Sequence, residues 1–209
     1  MQVELKNLSF SYQNKFIIKK ASYIFKPGQI HFINGKNGSG KTTLLKLIAT
    51  FISPTHGDIK YNALNFKDFK IKNRSDISYV THLPMLYPEL TLGENFKFFR
   101  KLYNIDKNTI DLRAEFNLSA FNDIQVKKFS RGMKQKASIA LSLLSKASIF
   151  LFDEPFSGLD LESQDTLRKY IVNLSKNEDK LVFLISHHID EIENSIYYNL
   201  ENGKVEINN

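Results

Sequence analysis

The stretch that decides the fold is Gly35-Lys36-Asn37-Gly38-Ser39-Gly40-Lys41-Thr42, which has the spacing G-x-x-x-x-G-K-[ST] of a phosphate-binding loop. A predicted short buried strand, Ile30–Asn34, precedes it, and helical apolar spacing runs from Thr42 to Phe51. A strand, a glycine-rich turn and a helix in this order let backbone N–H groups and the helix N-terminus converge on phosphate oxygens. We therefore expect Lys41 to contact the β- and γ-phosphates of a nucleotide and the Thr42 hydroxyl to ligate Mg²⁺.

An acidic pair follows much later, where the continuous apolar run Ile149–Phe152 ends in Asp153-Glu154. Such a run is typical of a strand buried on both faces of a parallel sheet, and α/β proteins bind ligands at the carboxyl ends of these strands. Asp153 can therefore complete the Mg²⁺ site begun by Thr42, and Glu154 is the candidate general base for an attacking water. The alternative is an acidic pair that caps the following helix.

Hydrophobic patterns predict the elements around these motifs. Alternating apolar residues before Phe25 indicate two or three strands of a small antiparallel sheet, and His56-Gly57-Asp58 is typical of the end of the first helical unit. Helical spacing prevails from about Pro84 to Ala147, with one dense apolar face between Asn95 and Tyr103. The other predicted elements are buried strands at Ile77–Val80 and Leu181–Ser186, a helix near Leu161–Leu174, and a hairpin around Asn202-Gly203.

Together these elements predict an α/β fold with a phosphate-binding-loop NTPase core, a small N-terminal antiparallel β-sheet and an inserted α-helical lobe. We expect a single domain over residues 1–209, in which residues 1–82 and 147–209 form the core and residues of about 83–146 form the lobe.

Composition narrows the possible functions. The chain has no cysteine, which excludes disulfides and thiolate metal sites, and no apolar run approaches the roughly 20 residues of a membrane-spanning helix. The N-terminus lacks an apolar signal region, so we do not expect export. A net charge of +7 could steer polyanions, favour an anionic membrane surface or keep the protein soluble. Because the lysines are dispersed, we expect no nucleic-acid partner, although a nucleic-acid-binding module stays open on charge alone.

Further motifs occur in a fixed order: Phe129-Ser130-Arg131-Gly132-Met133, then Ser157-Gly158-Leu159-Asp160, then Ser186-His187. With the phosphate-binding loop and the acidic pair, their order and spacing resemble the ATP-binding subunit of an ABC transporter. The resemblance implies an ATPase at the cytoplasmic face of the cell membrane, attached peripherally to separate transmembrane subunits. It also implies a homodimer, or a heterodimer with a second ATPase subunit, that holds ATP between head-to-tail chains.

The resemblance further implies roles for single residues. Ser130 and Gly132 would contact the γ-phosphate bound by the opposite subunit, although an N-cap alone could explain Ser130. Tyr12 would stack on adenine, and His187 would contact the γ-phosphate and orient the attacking water. The implied ATP-contacting residues are Tyr12, Asn37, Gly38, Ser39, Gly40, Lys41, Thr42, Thr43, His82, Ser130 and Gly132. The implied catalytic residues are Glu154, His187 and Lys41, and the implied Mg²⁺ ligands are Thr42 and Asp153.

His82 departs from the family pattern, because ABC ATPases usually place a Mg²⁺-ligating Gln at this point of Ser78-Tyr79-Val80-Thr81-His82. His82 would approach the metal, or else contact water or the membrane subunit, which the lobe around residues 83–130 would face. This residue, the short chain and the Ser-Arg-Gly-Met segment are similar to the ATPase of the haem exporter used in cytochrome c maturation. An ATPase of the same superfamily that regulates a membrane partner, as in cell division, stays an alternative.

Overall fold

The computed structural model describes residues 1–81, 84–105, 111–187 and 191–207. The strands are β1 (Val3–Tyr12), β2 (Lys15–Phe25), β3 (Ile30–Asn34), β4 (His56–Tyr61), β5 (Ile77–Val80), β6 (Ile149–Asp153), β7 (Leu181–Ile185), β8 (Ser195–Glu201) and β9 (Lys204–Ile207). The α-helices are α1 (Lys41–Ile48), α2 (Phe66–Lys72), α3 (Leu92–Leu102), α4 (Leu112–Glu115), α5 (Arg131–Leu143) and α6 (Leu161–Ser175).

In the described part of the chain, a three-stranded antiparallel sheet has the order β2-β1-β4. The predicted small sheet is confirmed, but its third strand is β4, which begins at the residues expected to close the first helical unit. Gly57 and Asp58 have the composition of a turn, yet Ile59 and Tyr61 pair with β1 and are buried in its core. Pairing with β1 thus outweighs the local preference for a turn.

The larger sheet has the strand order β5-β6-β7-β3-β8-β9 over the described residues, and its strands run parallel except for the β8–β9 hairpin. All five residues of β6 and of β7 are buried, as their continuous apolar sequences predict. One face of β6 places Leu151 against α1 and the antiparallel sheet, whereas the other places Phe150 and Phe152 against the cluster that includes α5 and α6. The carboxyl ends of β3, β6 and β7 therefore meet at one edge.

The region predicted to be a helical lobe contains α3, α4 and α5, with short 3₁₀ turns at Ser119–Phe121 and Val126–Lys128 between α4 and α5. A capping box explains where α3 begins, because Thr91 Oγ1 accepts from Glu94 N and Glu94 Oε2 accepts from Thr91 N. The apolar residues of α3 do not share one buried face: Phe96 is buried, whereas Phe98 and Leu102 are 42% and 62% exposed. Among the described residues, no helix has both the length and the apolar character needed to span a bilayer.

Candidate active site

The glycine-rich loop connects β3 to α1, as predicted, and encloses Lys41. Lys41 is only 7% exposed, and its Nζ donates to the carbonyl oxygens of Gly35 at 2.6 Å and Lys36 at 3.2 Å. Burial lowers the pKa of the Lys41 ammonium, and the nearby charges of Glu154 and Asp153 oppose that shift. The loop thus holds a cation at the N-terminus of a helix, the place where anions are favoured.

The backbone of this loop requires glycine where it passes closest to β2. Gly40 has φ 108°, and a Cβ added there would lie 2.6 Å from Cγ2 of Ile17. Next to it, the buried Ser39 hydroxyl has no hydrogen-bond partner within the described residues. A close backbone approach and an unpaired polar atom are typical of a cradle for an oxygen-rich ligand.

Asp153 brings the end of β6 to the start of α1. Its carboxylate is buried, and Oδ1 accepts from the Thr42 hydroxyl at 3.2 Å. Oδ2 accepts from the Tyr79 hydroxyl at 3.1 Å. Burial and the Asp153 charge both raise the pKa of Tyr79, so this phenol keeps its proton and donates. No local sequence motif indicates that Tyr79 belongs to this site.

Glu154 follows in a left-handed conformation with φ 54°, and its backbone N–H donates to the Ile185 carbonyl at 2.9 Å. Its Oε2 accepts from the backbone N–H of His187 at 3.1 Å. Its Oε1 is buried, has no hydrogen-bond partner in the described part of the chain, and lies 3.4 Å from His187 Nε2. The alternative that the acidic pair caps a helix is wrong, because α6 starts later and Asp160 caps it. A strained backbone at a residue whose carboxylate has one oxygen without a hydrogen bond in the described structure is typical of a functional site.

Residues of the glycine-rich loop, the acidic pair and His187 meet at one cavity of about 310 Å³. Its lining consists of Ile17, Asn37, Gly38, Gly40, Lys41, Thr42, Thr43, Asp153, Glu154, Ile185 and His187. Residues from β2, the glycine-rich loop, α1 and the ends of β6 and β7 therefore come together at this cavity, and the contribution of β2 through Ile17 is one that the sequence did not predict. A cleft of about 460 Å³ continues from it, shares Ile17, Asn37 and Gly38 with it, and includes Ser39 and the exposed ring of Phe16.

Tyr12 lies apart from both of these cavities. It ends β1, is 48% exposed, and packs edge to face against Phe10 with ring centroids 4.7 Å apart. Its role toward adenine stays a prediction. His82 lies outside the described residues.

The signature segment, residues 129–133, is also outside the cavity lining. Ser130 is exposed and caps α5, because its Oγ accepts from Met133 N at 3.2 Å. A Cβ added to Gly132 would lie 2.8 Å from the Gly158 carbonyl oxygen, so α5 and the 157–160 loop approach closely there. A Lys136–Asp160 ion pair of 2.6 Å joins the same two elements, and the bonds from Lys136 and Ser163 lower the pKa of Asp160 to about 2.

Comparisons with known proteins agree with this geometry. Residues 18–157 match the family model described as ABC transporter. The ABC transporter ATP-binding protein NatA of Bacillus subtilis (strain 168) is 32% identical over 91% of this chain and 81% of its own length. The ABC-type transporter ATP-binding protein EcsA of the same organism is 30% identical over 97% of this chain and 85% of its own length. A solved ATP-binding subunit of an ABC transporter superposes with a TM-score of 0.85 at 27% identity, covering 98% of this chain and 88% of that one.

Proposed function

Because this chain belongs to the ABC transporter family, as one of its ATP-binding, ATPase subunits, we propose that ATP and Mg²⁺ bind in the 310 Å³ cavity and that hydrolysis there drives separate transmembrane subunits. The observation that carries this proposal is the convergence of Lys41, Thr42, Asp153, Glu154 and His187 on that cavity. In this proposal residues 1–209 form one domain, with a core (1–82 and 147–209) that holds the nucleotide and a lobe (about 83–146) that meets the membrane partner.

The glycine-rich loop would bind the phosphates. Lys41 donates to two carbonyl oxygens of its own loop, and phosphate oxygens would replace these weaker acceptors through charge-assisted hydrogen bonds. The backbone N–H groups at the start of α1 and the unpaired Ser39 hydroxyl would add donors to the same cradle. This part of the site positions the nucleotide and compensates its charge.

Thr42 and Asp153 fit a hard divalent cation. Their oxygens lie 3.2 Å apart, and hydroxyl and carboxylate oxygens are the donors that Mg²⁺ prefers when it also contacts phosphates. When bound, Mg²⁺ would neutralise negative charge on the phosphates during phosphoryl transfer. The chain contributes a carboxylate whose orientation is already fixed.

Glu154 and His187 would act on water. Oε2 of Glu154 is held by the His187 N–H, whereas Oε1 has no donor within the described residues and can accept a proton. The His187 ring, 3.4 Å from Oε1, is placed to orient a water beside this carboxylate. The pair therefore provides a base and an orienting group next to the phosphate cradle.

A second copy of the chain, or a related ATPase subunit, would complete the site. Ser130 and Gly132 do not line the cavity of their own chain, and Ser130 is exposed at the N-terminus of α5. A head-to-tail dimer would bring this helix N-terminus to the γ-phosphate held by the other chain, where its dipole favours negative charge.

The membrane partner would be reached from the cytoplasmic face. For the cargo, we keep export of haem as a prediction that rests on the resemblance of His82 and Ser-Arg-Gly-Met to haem exporters. Purification of the chain from detergent-solubilised membranes, followed by identification of the bound transmembrane proteins and of haem by absorbance, tests both points. Recovery of a transmembrane partner with no haem absorbance would contradict the prediction that the cargo is haem and leave the prediction of a membrane partner intact.

Glu154→Gln tests the proposed chemistry. The amide keeps the shape of the side chain but cannot accept a proton, so ATP turnover should fall by roughly 10²–10⁴-fold. ATP binding should persist, and a dimer loaded with ATP should accumulate during size-exclusion chromatography with Mg²⁺. Glu162→Gln, an exposed carboxylate in the first turn of α6, is the matched control and should keep normal turnover. Turnover of Glu154→Gln within a few-fold of the control would contradict the assignment of the base.

A further inference from the structure

Tyr79 connects the Asp153 carboxylate to a different part of the surface. In the β5–β6 register Tyr79 pairs with Leu151, and Asp153 shares a face of β6 with Leu151 because strand side chains alternate. Two residues of strand advance by about 6.6 Å, which is the reach of a tyrosine side chain. The hydroxyl consequently meets Asp153 Oδ2 at 3.1 Å, while Thr42 holds Oδ1.

Tyr79 also lines a groove whose described lining does not include Thr42. This groove of about 500 Å³ lies beside α3 and α5, and Phe51, Met85, Tyr87 and Phe99 are among its walls. The centroids of the Tyr79 and Phe51 rings are 5.3 Å apart, and the Arg74 guanidinium lies 5.3 Å from the Phe51 ring. Phe51, Met85 and Tyr87 are all more than 40% exposed. A single side chain thus contacts both this groove and the carboxylate.

We propose that Tyr79 is a positioning residue for the metal site: its hydroxyl sets the orientation of the Asp153 carboxylate, and its ring makes that orientation depend on packing in the groove. The inference rests on the proposed function, since it takes Asp153 as a Mg²⁺ ligand. A buried carboxylate keeps one orientation only when donors hold it, and Tyr79 supplies the donor on the oxygen that Thr42 does not contact.

The hydroxyl is tested with Tyr79→Phe, which keeps the ring and removes the donor. Binding of Mn²⁺, as a stand-in for Mg²⁺, is measured by electron paramagnetic resonance in the presence of adenylyl imidodiphosphate. We expect Mn²⁺ affinity to fall about tenfold, because a hydrogen bond to a charged group is lost. Nucleotide affinity in EDTA should stay close to that of Tyr170→Phe, a tyrosine that packs on Phe116 in the hydrophobic cluster that includes α5 and α6.

The outcomes separate this inference from the proposed function. Mn²⁺ affinity of Tyr79→Phe within twofold of the Tyr170→Phe control would overturn the role of Tyr79 and leave the nucleotide site intact. Failure of the unmodified chain to bind Mn²⁺ with the nucleotide would overturn both. A tenfold loss of Mn²⁺ affinity with an equal loss of nucleotide affinity in EDTA would also overturn the role of Tyr79, because the defect would then not be specific to the metal.

The ring is tested with Phe51→Leu, which changes packing against Tyr79 without touching its hydroxyl. We expect Phe51→Leu to weaken Mn²⁺ binding about threefold in the unmodified background and to have no effect when combined with Tyr79→Phe, because the route to Asp153 is then already broken. Additive losses in the double variant would overturn the part of the proposal that concerns the groove.

Discussion

The two parts of the proposed composite site differ in how their polar groups are paired. One is the half-site around Asp153, which consists of Lys41, Thr42, Tyr79 and Asp153, and the other is the signature segment at residues 129–133. In the half-site, Lys41 and Asp153 are buried and hydrogen-bonded to groups from other elements, including Gly35, Thr42 and Tyr79. In the signature segment, Ser130 is exposed and its hydroxyl bonds only within the first turn of its own helix, at Met133 N, among the bonds described.

The difference follows from the cost of burying charge. A buried ammonium or carboxylate must be paired inside the chain that carries it, so the half-site is assembled when one chain folds. An exposed helix N-terminus needs no partner to be stable, and it can wait for an anion held elsewhere. Damage to the half-site should therefore alter the binding of nucleotide or metal by one chain, whereas damage to the signature segment should alter only steps that need two chains.

Ser130→Arg should produce the largest contrast. A bulky cation at the exposed N-terminus of α5 would block close approach of a second chain, and turnover should fall at least about 100-fold. ATP affinity of the isolated chain should be unchanged in calorimetry. Ser130→Ala, which removes the cap and costs about 1 kcal/mol of stability, is the control for local damage. Full turnover by Ser130→Arg would show that the segment acts only as a helix cap.

Lys41→Ala, in the half-site, should change ATP binding by the isolated chain, which Ser130→Arg should leave unchanged. Loss of a charge-assisted contact to phosphate should weaken ATP binding by the isolated chain by about 1.5–3 kcal/mol. Lys46→Ala, in the last turn of the same helix, is the matched control. Equal ATP affinity for the two variants in calorimetry would contradict the phosphate-loop assignment and remove the basis of the comparison.

The half-site was largely predictable because its signals are local. The spacing of Gly35–Thr42 and the apolar run that ends at Asp153 each lie within a few residues, and parallel strands bring such ends to one edge. Tyr79 was not predictable in this way. Its contact with Asp153 depends on the register between β5 and β6, which are separated by the whole helical lobe.

Long-range contacts also determine β4 and the exposed end of α3. Gly57 and Asp58 favour a turn locally, and only pairing of Ile59 and Tyr61 with β1 makes this segment a strand. Phe98 is as apolar as Phe96, but the sequence does not show which side of α3 the rest of the chain covers. Contacts between distant segments decide these features.

Acid should lower the free energy of unfolding through His31, which lies in the strand that leads into the glycine-rich loop. His31 is fully buried in β3, its ring nitrogens lie 2.8 Å from the Lys26 carbonyl and 2.9 Å from the Tyr198 hydroxyl, and burial lowers its pKa to about 4. An unfolded histidine has a pKa near 6.5, so the unfolded state takes up the proton first as pH falls. Stability should therefore decline from about pH 6.5 to pH 4, by about 3 kcal/mol in total.

Urea unfolding at pH 7 and at pH 4.5 measures this loss. His31→Gln keeps a polar side chain that does not titrate, so its pH slope over this range should be flatter by about one proton. Equal slopes for the two proteins would contradict the assignment of the loss to His31.

Thr50→Gly should give the smallest effect, a gain in stability at the end of the helix that begins with Lys41. Thr50 is fully buried with φ 60°, and its hydroxyl has no hydrogen-bond partner within the described residues. A β-branched residue in this conformation costs roughly 1–2 kcal/mol, which glycine would relieve, while lost methyl burial and chain entropy offset part of the gain. We expect about 1 kcal/mol in urea unfolding.

Thr50→Ala separates the two causes of this gain, because alanine removes the unpaired hydroxyl but keeps the strained Cβ. Glycine should exceed alanine by roughly 1 kcal/mol if backbone strain dominates. Both variants should bind ATP normally, since Thr50 lies at the far end of α1 from the loop. Alanine as stable as glycine would assign the cost to the hydroxyl. A change in ATP affinity would show that the half-site extends to the end of α1. The half-site would then depend on more of the chain than the contacts around Asp153 indicate, whereas the Ser130 hydroxyl depends only on the first turn of α5.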